Sequence, residues 1–385
     1  MKSPCHRSLL SCVALLWASL AASFAAVPAN RPYVSPEVHP DRTVSFRILA
    51  PKASEVTLEG GWMGSKEPLP LVKDSDGLWS VTVGPLNPTV YAYWFNLDGA
   101  VVLDQANQAI RERTGGSSVS YVDVPDTQPL PWSVRDVPHG TVETHWVKSS
   151  TYGDTRCIWV YLPPGYDANV REKYPVLYLF HGAGELNLSW VVSGKANLIF
   201  DNFLAGGKMK PAVVVMPYTG PSANAPRPPA PVAGAPAPGG PPNPTLGPDY
   251  ILKEVMPWSE ARFRISEDRQ HHAIAGLSAG GALASRIALN HLNRFSQLGI
   301  FSSPIRDLEA FPDLTKDPSA VNAKLDVFWV GVGKSDPQII DWLRKMDADL
   351  TKLGVKHDYH ETDGAHDYAV WRWCLTQFAP LLFKN

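Results

Sequence analysis

From residue 141 onward, short apolar runs alternate with segments long enough to form helices. The runs are CIWVYL, VLYLFH, AVVVMP, HHAIAG, LGIFS and LDVFWVGV. One intervening segment, KANLIFDNFLAGG, ends in the glycines typical of a helix C-terminus. Strands that are apolar throughout are buried on both faces, and helices between them act as parallel crossovers. The alternation predicts a parallel sheet between two layers of helices, an α/β domain over residues 141–385.

Residues 30–125 have a different pattern, that of short strands separated by turns. Alternate residues of TVSFRIL fall on one face, and the runs LWSVTV and VYAYWFNL are rich in aromatic and β-branched residues. Asp98-Gly99 between two such runs indicates a hairpin. The spacing predicts a small all-β sandwich of immunoglobulin type. The stretch 126–140 is proline-rich and aperiodic, which is typical of a linker.

The first 25 residues have the three parts of a secretory signal. Lys2 and Arg7 form the basic region, an apolar core follows, and AASFAA supplies small residues for cleavage after Ala25. The core is shorter than the ~20 residues that a membrane span needs, although an anchor is the alternative. We expect a secreted or periplasmic protein that is free of the membrane after cleavage.

A second compositional break lies at residues 220–248. This proline-rich segment has few residues to bury and cannot form a regular helix, so it predicts an irregular loop. The loop follows the strand AVVVMP and should emerge at the carboxyl end of the sheet, where α/β proteins place their sites. A tolerated insertion and a functional lid are both open.

Charge and cysteine content limit the classes of partner. Lys and Arg number 35 against 37 Asp and Glu, a formal net charge of -2, which gives no basic surface for nucleic acid or anionic membranes. Cys157 and Cys374 remain after signal cleavage, and the sequence leaves open whether they form a disulfide. Two cysteines without H-E-x-x-H histidine spacing predict neither a zinc site nor a cofactor. The oligomeric state is open.

Gly276-Leu277-Ser278-Ala279-Gly280 fits the G-x-S-x-G pattern, in which a serine sits on a sharp turn between a strand and a helix. Side chains two positions to either side would clash, which explains both glycines. The pattern alone is weak, but an apolar strand precedes it and a small-residue helix follows. We therefore expect Ser278 to be a nucleophile, provided that a histidine and an acid lie downstream.

Both partners occur in the order that this scaffold requires. Asp336 follows the buried strand LDVFWVGV, and His366 follows the edge-like strand KHDYHET. Other histidines lie within strands, and Asp363 and Asp367 are too close to His366 in sequence to orient its ring easily. The predicted triad is Ser278, His366 and Asp336.

A serine nucleophile that attacks a carbonyl group needs two backbone N–H groups to stabilise the developing oxyanion. One predicted donor is Ala279, directly after the nucleophile. The other comes from the turn after VLYLFH, where we expect Ala183, with Gly184 as its neighbour. His181 in the same stretch is interpreted as a structural hydrogen-bonding residue.

Taken together, these motifs resemble the bacterial feruloyl and acetylxylan esterases of carbohydrate esterase family one, which share their fold with esterase D. The resemblance runs from about residue 140 to the C-terminus. It is carried by YPVLYLFHGAGE, WVVSGKANLIFDNFLAGGKMKPAVVVMPY, HHAIAGLSAGG, VGVGKSD and GAHDYAVWRW. The β-rich part resembles the early-set immunoglobulin-like domain that often precedes such esterases. Glu185 departs from the family pattern, which often has glycine there.

The resemblance implies an α/β-hydrolase that releases ferulate from arabinoxylan through the predicted triad. A phenolic acyl group implies aromatic contacts, for which Trp190, Tyr218 and Trp371 are candidates. Trp371 also falls at helical spacing with core residues. The alternatives are an acetylxylan esterase, a siderophore-ester hydrolase, and a carbohydrate-binding protein on an inactive hydrolase scaffold.

Overall fold

The computed structural model describes residues 32–64, 66–111, 118–167, 171, 173–221, 246–337 and 339–384. The chain divides into two compact units, Met1–Val34 and Ser35–Asn385, and every element below belongs to the second. The predicted signal and most of the predicted loop 220–248 lie outside the described residues. The end of that loop is corrected, because residues 246–248 begin a helix.

The N-terminal part is an all-β region with antiparallel strands in two sheets. One sheet has the order β1-β2-β6-β5 and the other the order β4-β3-β7-β10-β9, with β8 paired to β7. The strands are β1 (Glu37–Val38), β2 (Val44–Leu49), β3 (Val56–Gly60), β4 (Leu69–Pro70), β5 (Val72–Lys73), β6 (Leu78–Val83), β7 (Thr89–Leu97), β8 (Ala100–Val102), β9 (Ile110–Arg111) and β10 (Val119–Val124).

The core of this β region forms as the alternation in TVSFRIL predicts. Val44, Phe46 and Ile48 are all buried and pack with residues of the second sheet. The Asp98-Gly99 hairpin is also confirmed, since β7 and β8 pair directly across it and both turn residues have positive φ, 48° and 90°. The assignment to the immunoglobulin type stays a prediction.

The C-terminal part is built on one sheet with the order β11-β12-β14-β13-β15-β16-β17-β18. The strands are β11 (Thr141–Ser149), β12 (Asp154–Leu162), β13 (Val176–Phe180), β14 (Val213–Pro217), β15 (His272–Leu277), β16 (Gln297–Phe301), β17 (Val327–Gly333) and β18 (Asp358–Thr362). From β14 to β18 every pairing is parallel.

The expectation of an all-parallel sheet is corrected at β12. This strand contains CIWVYL and pairs antiparallel with both of its neighbours, β11 and β14. The cause is local for β11, because only four residues join it to β12, and so short a connection can only reverse the chain. The sheet is therefore mixed, with two antiparallel strands at one edge.

Helices cover both faces of this sheet. They are α1 (Ser189–Val192), α2 (Ala196–Ala205), α3 (Leu246–Tyr250), α4 (Met256–Arg262), α5 (Ala279–Asn290), α6 (Pro312–Lys316), α7 (Pro318–Lys324), α8 (Ile340–Leu353) and α9 (Tyr368–Phe378). Ile251–Val255 is a π-helical turn, and Arg269–His271 and Ala379–Leu381 are 3₁₀ turns. One apolar core lies under α3 to α8 and a second under α1, α2 and α9. The α/β sandwich is confirmed.

One further sequence question, that of a disulfide, is answered by the described residues. Cys157 in β12 and Cys374 in α9 are both free thiols, and burial raises the pKa of each. No helix in the described part of the chain is long and apolar enough to cross a membrane.

A buried arginine connects the all-β region to the α/β region. Arg372 on α9 has no exposed side-chain surface, and its Nη1 donates to the Ser193 carbonyl at 2.6 Å. Its Nη2 donates to the Val90 carbonyl at 2.8 Å and to Thr89 Oγ1 at 3.1 Å, both on β7. Burial lowers the pKa of Arg372 to about 10, so the guanidinium keeps its charge at neutral pH. This contact holds β7 beside the segment that carries His366.

Candidate active site

Ser278 occupies the sharp turn between β15 and α5. Its backbone has φ 50° and ψ -120°, a left-handed conformation that a non-glycine residue adopts only when its surroundings hold it there. Its N–H donates to the Phe301 carbonyl of the neighbouring strand at 2.8 Å. The turn projects the hydroxyl beyond the carboxyl end of the sheet, and α5 begins directly after it.

The two glycines of the motif are required by the close packing of this turn. A Cβ on Gly276 would lie 2.4 Å from the carbonyl group of Gly280. A Cβ on Gly280 would lie 2.4 Å from the His181 carbonyl oxygen and 2.7 Å from that of Phe180. The helix can therefore approach the sheet closely only because neither position has a side chain.

Asp336 and His366 lie beside Ser278 although they are far from it in sequence. His366 Nδ1 donates to Asp336 Oδ2 at 2.6 Å, and the Ser278 hydroxyl donates to His366 Nε2 at 3.0 Å. A carboxylate can only accept hydrogen bonds, so it fixes the proton on Nδ1 and leaves Nε2 free to accept one. Asp336 is fully buried, whereas 28% of the His366 side chain is exposed.

The turn after β13 packs directly on this serine. The Glu185 N–H donates to the Gly182 carbonyl at 3.3 Å, and Gly184 has φ 69°. Gly182 is so close to the serine turn that an added Cβ would lie 3.4 Å from Ser278 Cβ. Within the described part of the chain, the N–H groups of Ala183 and Ala279 have no hydrogen-bond acceptor. Both are available to a ligand at Ser278.

His181, just before this turn, is buried and held by backbone groups. Its Nδ1 donates to the Gly182 carbonyl at 2.8 Å, and its Nε2 accepts from the Thr219 N–H at 3.0 Å. Burial lowers the pKa of His181 to about 4. The ring is therefore neutral at physiological pH and anchors the turn.

A cavity of about 160 Å³ opens at Ser278 and His366. One wall comes from the α/β region, including Ala183, Glu185 and Trp371. The opposite wall comes from the all-β region and consists of Gly61, Val90, Tyr91, Ala92, Arg111 and Tyr121. The all-β region is thus a structural part of this pocket.

The wall from the all-β region was not predicted from the sequence. Arg111 is the last residue of β9, and Tyr121 lies on β10, far from every motif of the α/β region. No local pattern marks residues whose only link to Ser278 is the packing of two separate regions. Glu185 was noted in the sequence, but its pairing with Arg111 was not.

The three aromatic residues predicted to contact the substrate lie in different surroundings. Trp371 lines the pocket, with its ring edge-on to His366 at a centroid distance of 5.1 Å. Trp190 is corrected: it is fully buried in the core, and its Nε1 donates to the Phe180 carbonyl. Tyr218 stacks on His181 at a centroid distance of 5.5 Å and lies outside the described pocket lining, and its role as a substrate contact stays a prediction. Trp190 stabilises the core behind the site.

The described residues contain no group of three or more His, Cys, Asp or Glu side chains that could hold a metal ion. The polar groups that surround Ser278 are the hydroxyl, imidazole, carboxylate and backbone N–H groups described above. A serine on a strained turn, linked through histidine to a buried carboxylate at the end of a mostly parallel sheet, defines an α/β-hydrolase.

Comparison with known proteins gives the family. A family described as putative esterase matches residues 149–382. This range is more than half of the chain, and the protein belongs to this esterase family. The resemblance to feruloyl esterases is confirmed. Membership of this family does not favour the alternative of a carbohydrate-binding protein on an inactive hydrolase scaffold.

Individual relatives cover different parts of the chain. An endo-1,4-beta-xylanase/feruloyl esterase from Xylanibacter ruminicola is 31% identical over an alignment of 386 positions, gaps included, that covers 93% of this chain and 47% of that protein. The chain therefore spans about half the length of this relative.

Two solved structures show the fold. A ferulic acid esterase from Anaeromyces mucronatus, in complex with ferulic acid, covers 65% of this chain and 93% of its own, with 22% identity and a TM-score of 0.54. The enterobactin esterase from Shigella flexneri covers 88% of this chain and 92% of its own, with 17% identity and a TM-score of 0.64.

Proposed function

We propose that this protein is a secreted serine esterase that hydrolyses feruloyl esters of plant cell-wall arabinoxylan. The observation that carries the proposal is the hydrogen-bonded series Ser278–His366–Asp336 at the mouth of a pocket. Support for the substrate class comes from the 31% identical relative, which is named as a xylanase/feruloyl esterase.

In the proposed reaction the Ser278 hydroxyl attacks the ester carbonyl carbon while His366 Nε2 accepts its proton. The tetrahedral intermediate collapses, the bond to the alcohol oxygen breaks, and His366 returns the proton to the leaving alcohol. Water then attacks the acyl-enzyme with His366 again as the base, which releases the acid and restores Ser278. Asp336 keeps the imidazole in the tautomer that each step requires.

The oxyanion would be stabilised by the N–H groups of Ala183 and Ala279. The position of Ala279 at the first residue of α5 adds the positive end of the helix dipole. Loss of one such donor in other enzymes costs about 3 kcal/mol. Both groups are backbone donors, so their geometry depends on the two turns that carry them.

Ferulate release from methyl ferulate and from feruloylated arabinoxylan tests this proposal directly. The purified protein should release ferulate, and Ser278→Ala should lose activity by a factor of about 10⁴ or more while keeping the same melting temperature. Ser285→Ala, on the helix that follows Ser278 and away from the pocket lining, is the matched control. Full activity in Ser278→Ala would contradict the mechanism.

Two alternative ester substrates are tested alongside the feruloyl esters. Acetate release from acetylated xylan tests the acetylxylan alternative, and activity on acetyl esters alone would exclude the feruloyl substrate. A catecholate siderophore ester is the third substrate, because the enterobactin esterase structure aligns with 88% of the chain. A higher kcat/KM for that ester than for feruloyl esters would show that the substrate is a siderophore ester and not a polysaccharide ester.

Secretion is a separate part of the proposal and rests on the N-terminal sequence. Expression of the full chain in a bacterial host, followed by N-terminal sequencing of the exported protein, should give a mature end after Ala25. An uncleaved N-terminus in the membrane fraction would show an anchor instead.

A further inference from the structure

Arg111 of the all-β region forms an ion pair with the turn that carries a proposed oxyanion donor. Its Nη1 lies 3.1 Å from Glu185 Oε1. Both side chains are nearly inaccessible, with exposed fractions of 12% for Arg111 and 4% for Glu185. A charge-assisted hydrogen bond shielded from water is stronger and geometrically more restrictive than a surface pair.

The guanidinium of Arg111 is itself held from two sides. Its Cζ lies 5.9 Å from the centre of the Tyr121 ring on β10 and 5.7 Å from that of Tyr368 on α9. The first contact fixes the arginine to its own region, and the second fixes it to the helix that follows His366. These two contacts therefore hold the guanidinium in one position, and in that position it pairs with Glu185.

Glu185 connects this pair to the reaction centre. Its backbone N–H closes the turn to Gly182, with Ala183 and Gly184 between them. Gly182 packs against Leu277 and Ser278, so the turn cannot move toward the serine. The position of the Ala183 N–H then depends on what holds the opposite end of the turn, at Glu185.

We propose that Arg111 is a positioning residue, which acts through Glu185 to fix the Ala183 N–H for the oxyanion. This inference rests on the proposed serine esterase mechanism and extends it, because it makes the all-β region a component of catalysis. Without Arg111, a buried carboxylate loses its cation and turns toward water, and the backbone of the turn moves with it.

The variants Arg111→Met and Glu185→Gln test this role in the full chain. Each should lower kcat about 10- to 100-fold, equally for methyl ferulate and a small acetyl ester, with KM changed less than about threefold. The double variant should be no worse than either single variant, because both changes break the same contact. Arg111→Lys should recover part of the lost kcat.

A transition-state analogue gives a readout that a general loss of stability would not produce. Affinity for a boronic acid, which forms a tetrahedral adduct with Ser278, should fall by the same factor as kcat. Inhibition by ferulate itself should stay unchanged. Arg47→Met, which breaks an ion pair with Glu37 in the same region but away from the pocket, is the matched control and should leave both quantities unchanged.

Two results would overturn the inference. One is wild-type kcat in a folded Arg111→Met variant, with folding checked by thermal melting. The other is a rise in KM for the feruloyl ester alone, which would make Arg111 a substrate contact. If feruloyl esters are not substrates at all, the acetyl ester still tests the role of Arg111. A wrong substrate assignment can therefore be distinguished from a wrong role for Arg111.

Discussion

At the scale of single residues, the site depends on a few atoms held in costly positions. Ser278 keeps a positive φ of 50°, which costs about 1–3 kcal/mol for a non-glycine residue. Asp336 is a carboxyl group with no exposed surface. Each cost is offset by hydrogen bonds, from Ser278 N–H to Phe301 and from His366 Nδ1 to Asp336. In the proposed mechanism, these costly positions pre-form the reactive geometry.

Replacing the buried carboxylate separates its role from that of its neighbours. Asp336→Asn should lower kcat about 10³- to 10⁴-fold, because an amide at this position no longer selects the tautomer with Nε2 unprotonated. The control is Asp363→Asn: this side chain is 96% exposed and pairs with Lys334. Steady-state ester hydrolysis measures both. A larger loss in Asp363→Asn would show that the acid has been misassigned.

The buried His181 predicts a pH dependence of stability. Burial lowers its folded pKa from 6.5 to about 4, so between these values the unfolded chain binds a proton that the folded chain does not. The stabilisation is complete above pH 6.5 and is lost as the pH falls to about 4. Its size is about 3 kcal/mol.

Urea unfolding of the wild type and His181→Gln at pH 7 and pH 4.5 tests this dependence. The variant should lose less free energy of unfolding between the two pH values than the wild type. His139 is a control of opposite sign, because its hydrogen bond with Asp201 raises its pKa. Removal of His139 should increase the loss of unfolding free energy between pH 7 and pH 4.5. An equal loss in the wild type and in His181→Gln would contradict the prediction.

At the scale of elements, the site lies where the carboxyl ends of four strands come close together. Ser278 follows β15, Asp336 follows β17 and His366 follows β18, while the turn at Ala183 follows β13. Parallel pairing places all four ends at one edge of the sheet. Helix α5 packs closely on these strand ends, since Gly280 lies against the carbonyl groups of Phe180 and His181.

A single methyl group at that contact should disturb both structure and activity. Gly280→Ala places Cβ 2.4 Å from the His181 carbonyl oxygen, so β13 and α5 must separate, at a cost of about 1–3 kcal/mol. Thermal melting and kcat should both fall. The control for stability is Gly61→Ala, whose Cβ would have no neighbour closer than 3.8 Å. Unchanged melting of Gly280→Ala would refute the packing argument.

At the scale of the whole molecule, the pocket is assembled from two regions that differ in fold. The all-β region supplies one wall, and its β7 is hydrogen-bonded to Arg372 of α9. The same helix begins two residues after His366. We therefore expect stability and activity to be coupled through this buried cation.

Arg372→Met should test this coupling. The substitution leaves the Val90 and Ser193 carbonyl groups without their donor, which should lower the free energy of unfolding by about 2–4 kcal/mol and reduce kcat/KM. Arg344→Met is the matched control, because Arg344 is 52% exposed in its pair with Glu361 and the loss of an exposed pair should cost much less than the loss of a buried cation. Urea unfolding measures both, and equal losses would contradict the buried role.

Local patterns were enough to predict the α/β class, the hairpin at Asp98-Gly99 and the sequence order of Ser278, Asp336 and His366. Hydrophobic period, turn residues and strand–helix alternation are properties of neighbouring residues, so they can be read without coordinates. The same reasoning was wrong about the direction of β12 and about Trp190. Strand direction depends on which strands pair, and the burial of an aromatic ring depends on what packs over it.

The sequence by itself therefore determined the elements of this protein and the groups at their ends. Only the tertiary structure decided that Arg111 and Tyr121 share a pocket with Ser278, because their proximity results from the packing of two regions that carry no common pattern. It also decided the pairing of Arg111 with Glu185. Contacts between residues distant in sequence are set by the mutual burial of surfaces, which no local periodicity records.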